Sequence, residues 1–239
     1  MEQTIITILA TQDISATQKM LDDGAKLSEV KLAEIMREIF DNTKIDFSQN
    51  HLKFLIENGI DIESSTGNGY TALMMAIIFE LDVIKYLLLE KGVNIHKTTL
   101  KGMNATLWAV AYGDYDFLLT LINRGGDIKQ TINIEVYSYN EIIGSDREIV
   151  YDYGSEPKNN KLTVSAFAIA FNKYNQNIIN LLLELGFDPN EHILNEGCIW
   201  DLFGREAPNS YILKNTAIFY AIRKNDTDLF NYLIAQGAN

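Results

Sequence analysis

The sequence contains a single cysteine, Cys198, among 239 residues, and this excludes an internal disulfide bond. It contains only 3 prolines, and no segment rich in proline, glycine and serine divides it into separate domains. No run approaches the roughly 20 apolar residues that a membrane-spanning helix needs. The N-terminus lacks the basic region of a secretory signal peptide. We therefore expect one domain, over residues 1–239, that works in the cytoplasm.

Basic residues are also scarce. The chain has 20 Lys and Arg against 32 Asp and Glu, which gives a formal net charge of −12. Such a chain repels phosphates and anionic lipids, so we expect neither nucleic acid nor a membrane as its partner. A basic protein is the partner that this charge favours. With 47% hydrophobic and 22% charged residues, the composition is that of a globular protein.

No arrangement of residues is typical of catalysis or of metal binding. The three histidines, His51, His96 and His192, lie far apart and have no cysteine or acid at metal-ligand spacing. Cys198 lies among apolar residues, as inert buried cysteines do. Gly125-Gly126 is not followed by the lysine and hydroxyl residue of a phosphate loop. We expect no enzyme activity, no catalytic residue, no metal and no cofactor.

A repeated unit is present instead. Each repeat starts at a Thr, Asn or Ser that stands 21 residues before a glycine, and Thr71 with Gly92 is one example. Alanine occupies the first and the fifth position after each start, where a small residue lets a second helix approach closely. The four starts are Thr71, Asn104, Ser165 and Thr216, and the alanines are Ala72, Ala105, Ala166, Ala217, Ala76, Ala109, Ala170 and Ala221.

The closing glycines extend this series to six units. Each glycine follows the apolar stripe of a helix, and a glycine just past a helix ends it in the left-handed conformation. A non-repetitive helical bundle would not place the alanines in register, so we favour stacked helix pairs, which bury their apolar flanks against each other. The six glycines are Gly24, Gly59, Gly92, Gly125, Gly186 and Gly237.

The repeat resembles the ankyrin repeat. Its openings read TALMMA, NATLWA, SAFAIA and TAIFYA, and 33 residues separate Thr71 from Asn104, which is the ankyrin period. They keep the alanine of the ankyrin signature and lose its proline and histidine. The resemblance implies an all-α repeat solenoid of six helix-turn-helix units. It is weakest over residues 1–62, where we expect a longer first helix from Ser28 to Phe40.

Two insertions, at about residues 131–160 and 191–211, interrupt the period. The first is rich in β-branched and aromatic residues around Gly144-Ser145-Asp146 and predicts an inserted β-hairpin finger. Residues 131–156 carry six acids, one arginine and four tyrosines, which favours partner binding because tyrosine is well suited to interfaces. A surface loop packed on its own helices explains the same segment equally well. The candidate contacts here are Glu135, Tyr137, Tyr139, Glu148, Tyr151 and Asp152.

In the second insertion, the apolar residues between Ile199 and Phe203 predict a short helix that fills a gap between the last two units. Burial explains these residues better than recognition does.

The ankyrin resemblance also implies contact positions on the concave face of the solenoid. Tyr70, Phe79, Met103 and Tyr112 would form an apolar, aromatic strip there, and packing between repeats is the alternative role of these side chains. Arg223 differs in sign from the acidic middle of the chain and would mark one end of the site. The contacts implied by the resemblance are Tyr70, Ile78, Phe79, Met103, Tyr112, Asn172 and Arg223.

These features predict a protein–protein interaction module that is a monomer on its own. Its acidity and its Tyr-rich insertion favour an inhibitor or antidote of a basic protein, such as the immunity protein of a bacterial toxin. The alternative is the ankyrin portion of a larger secreted effector or scaffold that acts on host proteins in a host cytosol. The chain stops at Asn239, where a seventh unit would begin, and this favours the alternative.

Overall fold

The computed structural model describes residues 14–41, 48–136, 140–143, 149–152, 160–193 and 215–239. The chain divides into two compact parts, the N-terminal half Met1–Ile128 and the C-terminal half Lys129–Asn239, and each is described by itself. One continuous solenoid stays a prediction. The expected helix at Ile199–Phe203 and the expected turn at Gly144-Ser145-Asp146 lie outside the described residues.

The N-terminal half is built from consecutive helices joined by turns and loops. A short 3-10 helix, Leu27–Glu29, precedes the second α-helix. The α-helices are α1 (Ile14–Asp22), α2 (Leu32–Asp41), α3 (Gln49–Glu57), α4 (Ala72–Ile78), α5 (Asp82–Glu90), α6 (Ala105–Ala111) and α7 (Tyr115–Asn123).

All four repeat starts found in the sequence stand at the N-cap of the first helix of a pair, and three of them, Thr71, Asn104 and Ser165, cap that helix with a side-chain hydrogen bond that Thr216 does not make. The hydroxyl of Thr71 accepts a hydrogen bond from the Met74 N–H at the start of α4. The amide oxygen of Asn104 accepts one from Leu107 at the start of α6. These side chains satisfy N–H groups that have no partner inside the helix, which is why Thr, Asn and Ser recur at this position.

The closing glycines end the second helix of each pair. All six have a positive φ, between 79° and 92°, and each lies two residues after the last residue of a helix. Glycine adopts this left-handed conformation without the steric penalty that a Cβ atom brings. The helix ends expected from the sequence are confirmed at these positions.

The expected helix from Ser28 to Phe40 is wrong at its beginning. Val30 and Lys31 are extended, and helix α2 begins at Leu32. Asp61 donates its N–H to the Val30 carbonyl and accepts from the Leu32 N–H through its own carbonyl. This short parallel bridge uses the backbone groups that a continuous helix would need, so the helix cannot extend through it.

The C-terminal half contains short strands and two further helix pairs. Strand β1 (Ile132–Val136) pairs antiparallel with β4 (Asn160–Val164), and β2 (Asn140–Ile143) with β3 (Ile149–Asp152). Strands β1, β2 and β3 lie within the first insertion, whereas β4 begins at its last residue, and a single projecting finger stays a prediction. The remaining elements are α8 (Ala166–Ile169), α9 (Gln176–Glu184), the pair β5 (His192–Ile193) and β6 (Asn215–Thr216), α10 (Ala217–Lys224) and α11 (Thr227–Ala235).

The recurring alanines lie where helices approach each other. In the N-terminal half, α4 packs against α5 and α6, and α6 packs against α7. A larger side chain at these positions would separate the helices, which explains why alanine recurs at them. All eight recurring alanines are buried, namely Ala72, Ala76, Ala105, Ala109, Ala166, Ala170, Ala217 and Ala221.

Candidate protein-binding surface

Two of the expected contact residues lie in the interior of the N-terminal half. Met103 has no exposed surface, and Ile78 is only 7% exposed. Both side chains are therefore buried in the packing of the repeats, which is the alternative role stated for Met103 as a member of the strip. We leave them out of the candidate surface.

Phe79 remains at the surface, at the C-terminal end of helix α4. Its side chain is 38% exposed. Its ring stacks on that of Phe40, at the end of α2, with 3.3 Å between centroids and 7° between planes. This stack supports one face of the Phe79 ring and holds it in place. Phe40 was missed in the sequence, because only the fold brings residues 39 positions apart together.

Tyr70 and Tyr112 flank the buried ring of Trp108. The centroid of Trp108 lies 5.9 Å from that of Tyr70 and 6.1 Å from that of Tyr112. Both tyrosines are half-buried. Burial raises the pKa of each to about 12, and nearby Glu80 acts in the same direction on Tyr112. Both phenols therefore stay neutral at physiological pH and keep their hydrogen-bond donors.

Glu80 adds a carboxylate to this surface, and the sequence analysis missed it. It is exposed and has a φ of 55°, in the left-handed region. The equivalent positions of two other repeats hold Gly113 and Asn225, which also have positive φ and adopt this conformation more readily than Glu. We define the aromatic surface by four residues: Tyr70, Phe79, Glu80 and Tyr112.

Helix α5 holds a buried lysine, Lys85, at a position where the following repeat has the apolar residue Leu118. Lys85 contacts Asp114 and lies 2.6 Å from Asp82. Its ammonium group is also 5.0 Å from the ring centroid of Phe117. Burial lowers the pKa of Lys85, but the bonds to Asp114 and Asp82 outweigh burial and the net pKa is raised. The lysine is thus charged and links two helix pairs.

The turns between helix pairs are also tied to each other. Lys97 lies 2.8 Å from the carboxylate of Glu63, which also accepts a hydrogen bond from the Asn94 N–H. Burial raises the pKa of Glu63, but these bonds outweigh burial and the net pKa is lowered. Arg124 donates to the Leu89 carbonyl across the next junction. These contacts fix the spacing of the pairs that carry the aromatic surface.

The C-terminal half holds the two remaining candidates from the helices. Asn172 is half-buried, and Arg223 is exposed with its guanidinium 5.9 Å from the ring centroid of Tyr220. Tyr174 lies 5.8 Å from Tyr220 and is 37% exposed. Because this half is described by itself, these residues are not assigned to the aromatic surface.

The candidates of the first insertion are placed only in part. Glu135 lies on β1 opposite Lys161, and Tyr151 and Asp152 lie on β3 opposite Glu141 and Asn140. Tyr137, Tyr139 and Glu148 lie outside the described residues.

Within the described part of the chain, no group of three or more His, Cys, Asp or Glu side chains is placed to hold a metal ion. Among the same residues, no helix is both long enough and apolar enough to cross a membrane.

Stacked helix pairs that display exposed aromatic side chains define a protein-binding repeat module. Residues 45–132 match the family model of the ankyrin repeats in 3 copies, so this segment carries ankyrin repeats and the predicted resemblance is confirmed there. A comparison with curated proteins finds no match. The matched segment contains all four residues of the aromatic surface.

Proposed function

We propose that the chain binds a basic protein through its aromatic surface and acts as an inhibitor or antidote of that protein, as the immunity protein of a bacterial toxin does. One observation carries the proposal. Phe79 and Tyr112 offer aromatic surface to solvent next to the carboxylate of Glu80, on helices whose spacing is fixed by buried contacts.

This combination suits a lysine or arginine of the partner. A cation is attracted to the face of an aromatic ring and forms a charge-assisted hydrogen bond with a carboxylate. Tyr70 and Tyr112 stay neutral, since burial raises the pKa of each to about 12, so they offer ring faces and hydroxyl donors. The net charge of −12 favours the approach of a basic protein over that of an acidic one.

The contact itself is tested by truncating the two exposed rings. The experiment first identifies the protein encoded by the adjacent gene and uses it as the probe; the proposal requires that this protein be basic. Phe79→Ala and Tyr112→Ala should each weaken binding by about 5- to 100-fold, through faster dissociation, if the rings are hot spots. Val83→Ala, which truncates an exposed apolar side chain on α5, is the control and should bind like the wild type. Binding unchanged by both ring truncations, or no binding at all, would contradict the proposal.

The acidic first insertion has a separate role in this proposal. Charge acts at a distance, so it should speed association and leave dissociation nearly unchanged. Replacing Glu135, Glu141, Glu148 and Asp152 by their amides should slow association. Added salt should erase the difference from the wild type, since the Debye length is about 8 Å at physiological ionic strength. Surface-binding kinetics at two salt concentrations measure this, and an unchanged association rate at low salt would show that the insertion plays no part.

A further inference from the structure

Helix α3 buries a histidine at a position where later repeats bury an apolar side chain. His51 is 1% exposed and stands eight residues before Gly59, the closing glycine of its repeat. In the four later repeats, the residue at the same distance before the closing glycine is apolar and at most 1% exposed. These residues are Ile84, Phe117, Ile178 and Leu229. The apolar stripe of α3 therefore contains one polar ring.

The imidazole of His51 has no hydrogen-bond partner among the described residues. Both of its nitrogens, Nδ1 and Nε2, are shielded from solvent and make no hydrogen bond. Thr17 on α1 and Gln49 on α3 each bury an oxygen in the same condition. Burial without a partner costs free energy, because the group gives up its hydrogen bonds to water and gains none in exchange. Opening of this part of the fold would restore those bonds, so these groups favour it.

Helices α2 and α3 are linked to each other by their backbone. Asp61, which follows α3, bonds to Val30 and Leu32 at the start of α2. In the direction of the next pair, α2 packs against α4 and α3 packs against α5. Repeats of this kind contact only their neighbours, so one repeat can lose its contacts while others keep theirs. The cost of burying His51 therefore acts on the pair α2–α3 before it acts on the whole fold.

The same pair carries the aromatic ring that covers Phe79. Phe40, at the end of α2, stacks on Phe79 with 3.3 Å between the ring centroids. Loss of this stack would expose the face of the Phe79 ring that Phe40 covers. The face of an aromatic ring is the part that attracts a cation. Opening of the pair α2–α3 would therefore enlarge the aromatic surface.

We propose that the helix pair α2–α3 opens as a unit while helices α4 to α7 stay folded, and that this opening separates Phe40 from Phe79. The pair is then a removable cover on the aromatic surface, and its opening regulates the contact with the basic partner. The regulation rests on the proposed function, whereas the opening itself needs no partner. His51 brings the open state closer in free energy to the closed state.

Amide hydrogen exchange of the full-length chain, read by mass spectrometry of peptic fragments, measures the opening without a partner. Amides of α2 and α3 should exchange about tenfold faster than the buried amides of α6, or more. His51→Leu restores an apolar residue and should slow exchange in α2 and α3 about tenfold, with α6 unchanged. His51→Ile, which copies Ile84, should act in the same way. His96→Leu changes an exposed histidine and is the matched control, which should alter neither region.

Two results of this exchange experiment would overturn the proposal. One is equal protection of α2, α3 and α6 in the wild type. The other is exchange in α2 and α3 that neither His51 variant slows.

A further variant tests whether the opening separates the two rings. Phe79→Ala removes the stack from the closed state, so exchange in α2 and α3 should become about threefold faster or more if the open state has lost the stack. Val83→Ala, which truncates an exposed side chain on α5, is the control and should leave exchange unchanged. Exchange in α2 and α3 that Phe79→Ala does not alter would show that the rings stay together, and the pair would not be a cover.

Binding of the protein encoded by the adjacent gene separates this proposal from the proposed function. His51→Leu favours the closed state and should weaken that binding about threefold or more, because a smaller fraction of the chain is open. Equal binding by the wild type and His51→Leu would overturn the regulation and leave the proposed function standing. A wild type that opens but does not bind this protein would contradict the proposed function and leave the opening standing.

Discussion

The ammonium group of Lys85 on helix α5 bonds to the carboxylate of Asp114, the residue that caps helix α7 in the following pair. Lys85 is buried, while the neighbouring repeats place Leu118 and Ile179 at its position. Asp114 thus serves two purposes, because it also accepts a hydrogen bond from the Phe117 N–H. One carboxylate starts a helix and neutralises a lysine of the preceding pair.

The two partners of this ion pair should respond differently to substitution. Asp114→Ala removes the helix cap and one of two anions around a buried cation, and should cost about 2–4 kcal/mol. Lys85→Leu restores the apolar residue of the other repeats and should change stability by less than about 1 kcal/mol. Denaturant unfolding measures both, with the exposed Glu90→Ala as control. Equal losses for the two variants would show that the ion pair itself provides the stability.

Glu80 should lower the stability of the fold, although its carboxylate belongs to the proposed binding surface. Glu80→Gly removes the steric strain between the Cβ atom and a backbone in the left-handed conformation, and should stabilise the fold by about 0.5–1 kcal/mol. Asn225→Gly should gain less, because Asn tolerates this conformation. Gly113→Ala should lose about 1 kcal/mol or more. Thermal melts of the three variants test this order, and a Glu80→Gly variant less stable than the wild type would contradict it.

Ala109 should not accept a larger side chain. It is fully buried, and α6, which carries it, packs against both α4 and α7, so Ala109→Leu should destabilise by about 1–3 kcal/mol through overpacking. Ala235→Leu, at an exposed position in α11, is the matched control and should change little. A neutral Ala109→Leu in denaturant unfolding would mean that the helices leave room at this position.

Glu191 should make stability depend on pH in the C-terminal half. Burial raises its pKa above the ordinary value of 4.5, although its hydrogen bond from Ser165, at 2.6 Å, acts against this. Because the pKa of Glu191 is higher in the folded chain than in the unfolded chain, the protonated carboxyl contributes to stability at pH values below 4.5. This contribution is lost as the pH rises through the pKa of the folded state.

The test is Glu191→Gln, which keeps an acceptor for Ser165 and removes the charge. This variant should stabilise the fold at neutral pH by less than about 1 kcal/mol, because Glu191 is only partly buried and solvent screens its charge. The gain should disappear as the pH falls below 4.5, where the wild-type carboxyl is protonated. Melting temperatures measured across this range decide the matter, and a gain that persists at low pH would have another cause.

The sequence was most informative where one residue type has one local role. Gly92 and Gly125 end helices, Thr71 and Asn104 begin them, and Ala109 marks a close approach. Each role is set by backbone geometry within a few residues, so a repeated pattern exposes it. The ankyrin match over residues 45–132 falls where this pattern is most regular.

The candidate site was less predictable, because exposure depends on residues distant in sequence. Met103 and Phe79 both occupy expected contact positions, yet one is buried and the other is exposed. Phe79 stacks on Phe40, and Lys85 pairs with Asp114. In both cases the partner lies in a different helix pair. A lysine within the apolar stripe of α5 was the one signal that could have indicated the buried ion pair.

Trp108 lies between the two tyrosines of the aromatic surface and has no exposure of its own. The chain has one other tryptophan, Trp200, so a Trp200→Phe variant makes the emission of Trp108 the only indole signal. Tyr70 and Tyr112 are close enough to pass excitation energy to it. The protein therefore carries a built-in optical reporter directly beneath the proposed contact, and partner binding can be followed by fluorescence without attaching a dye.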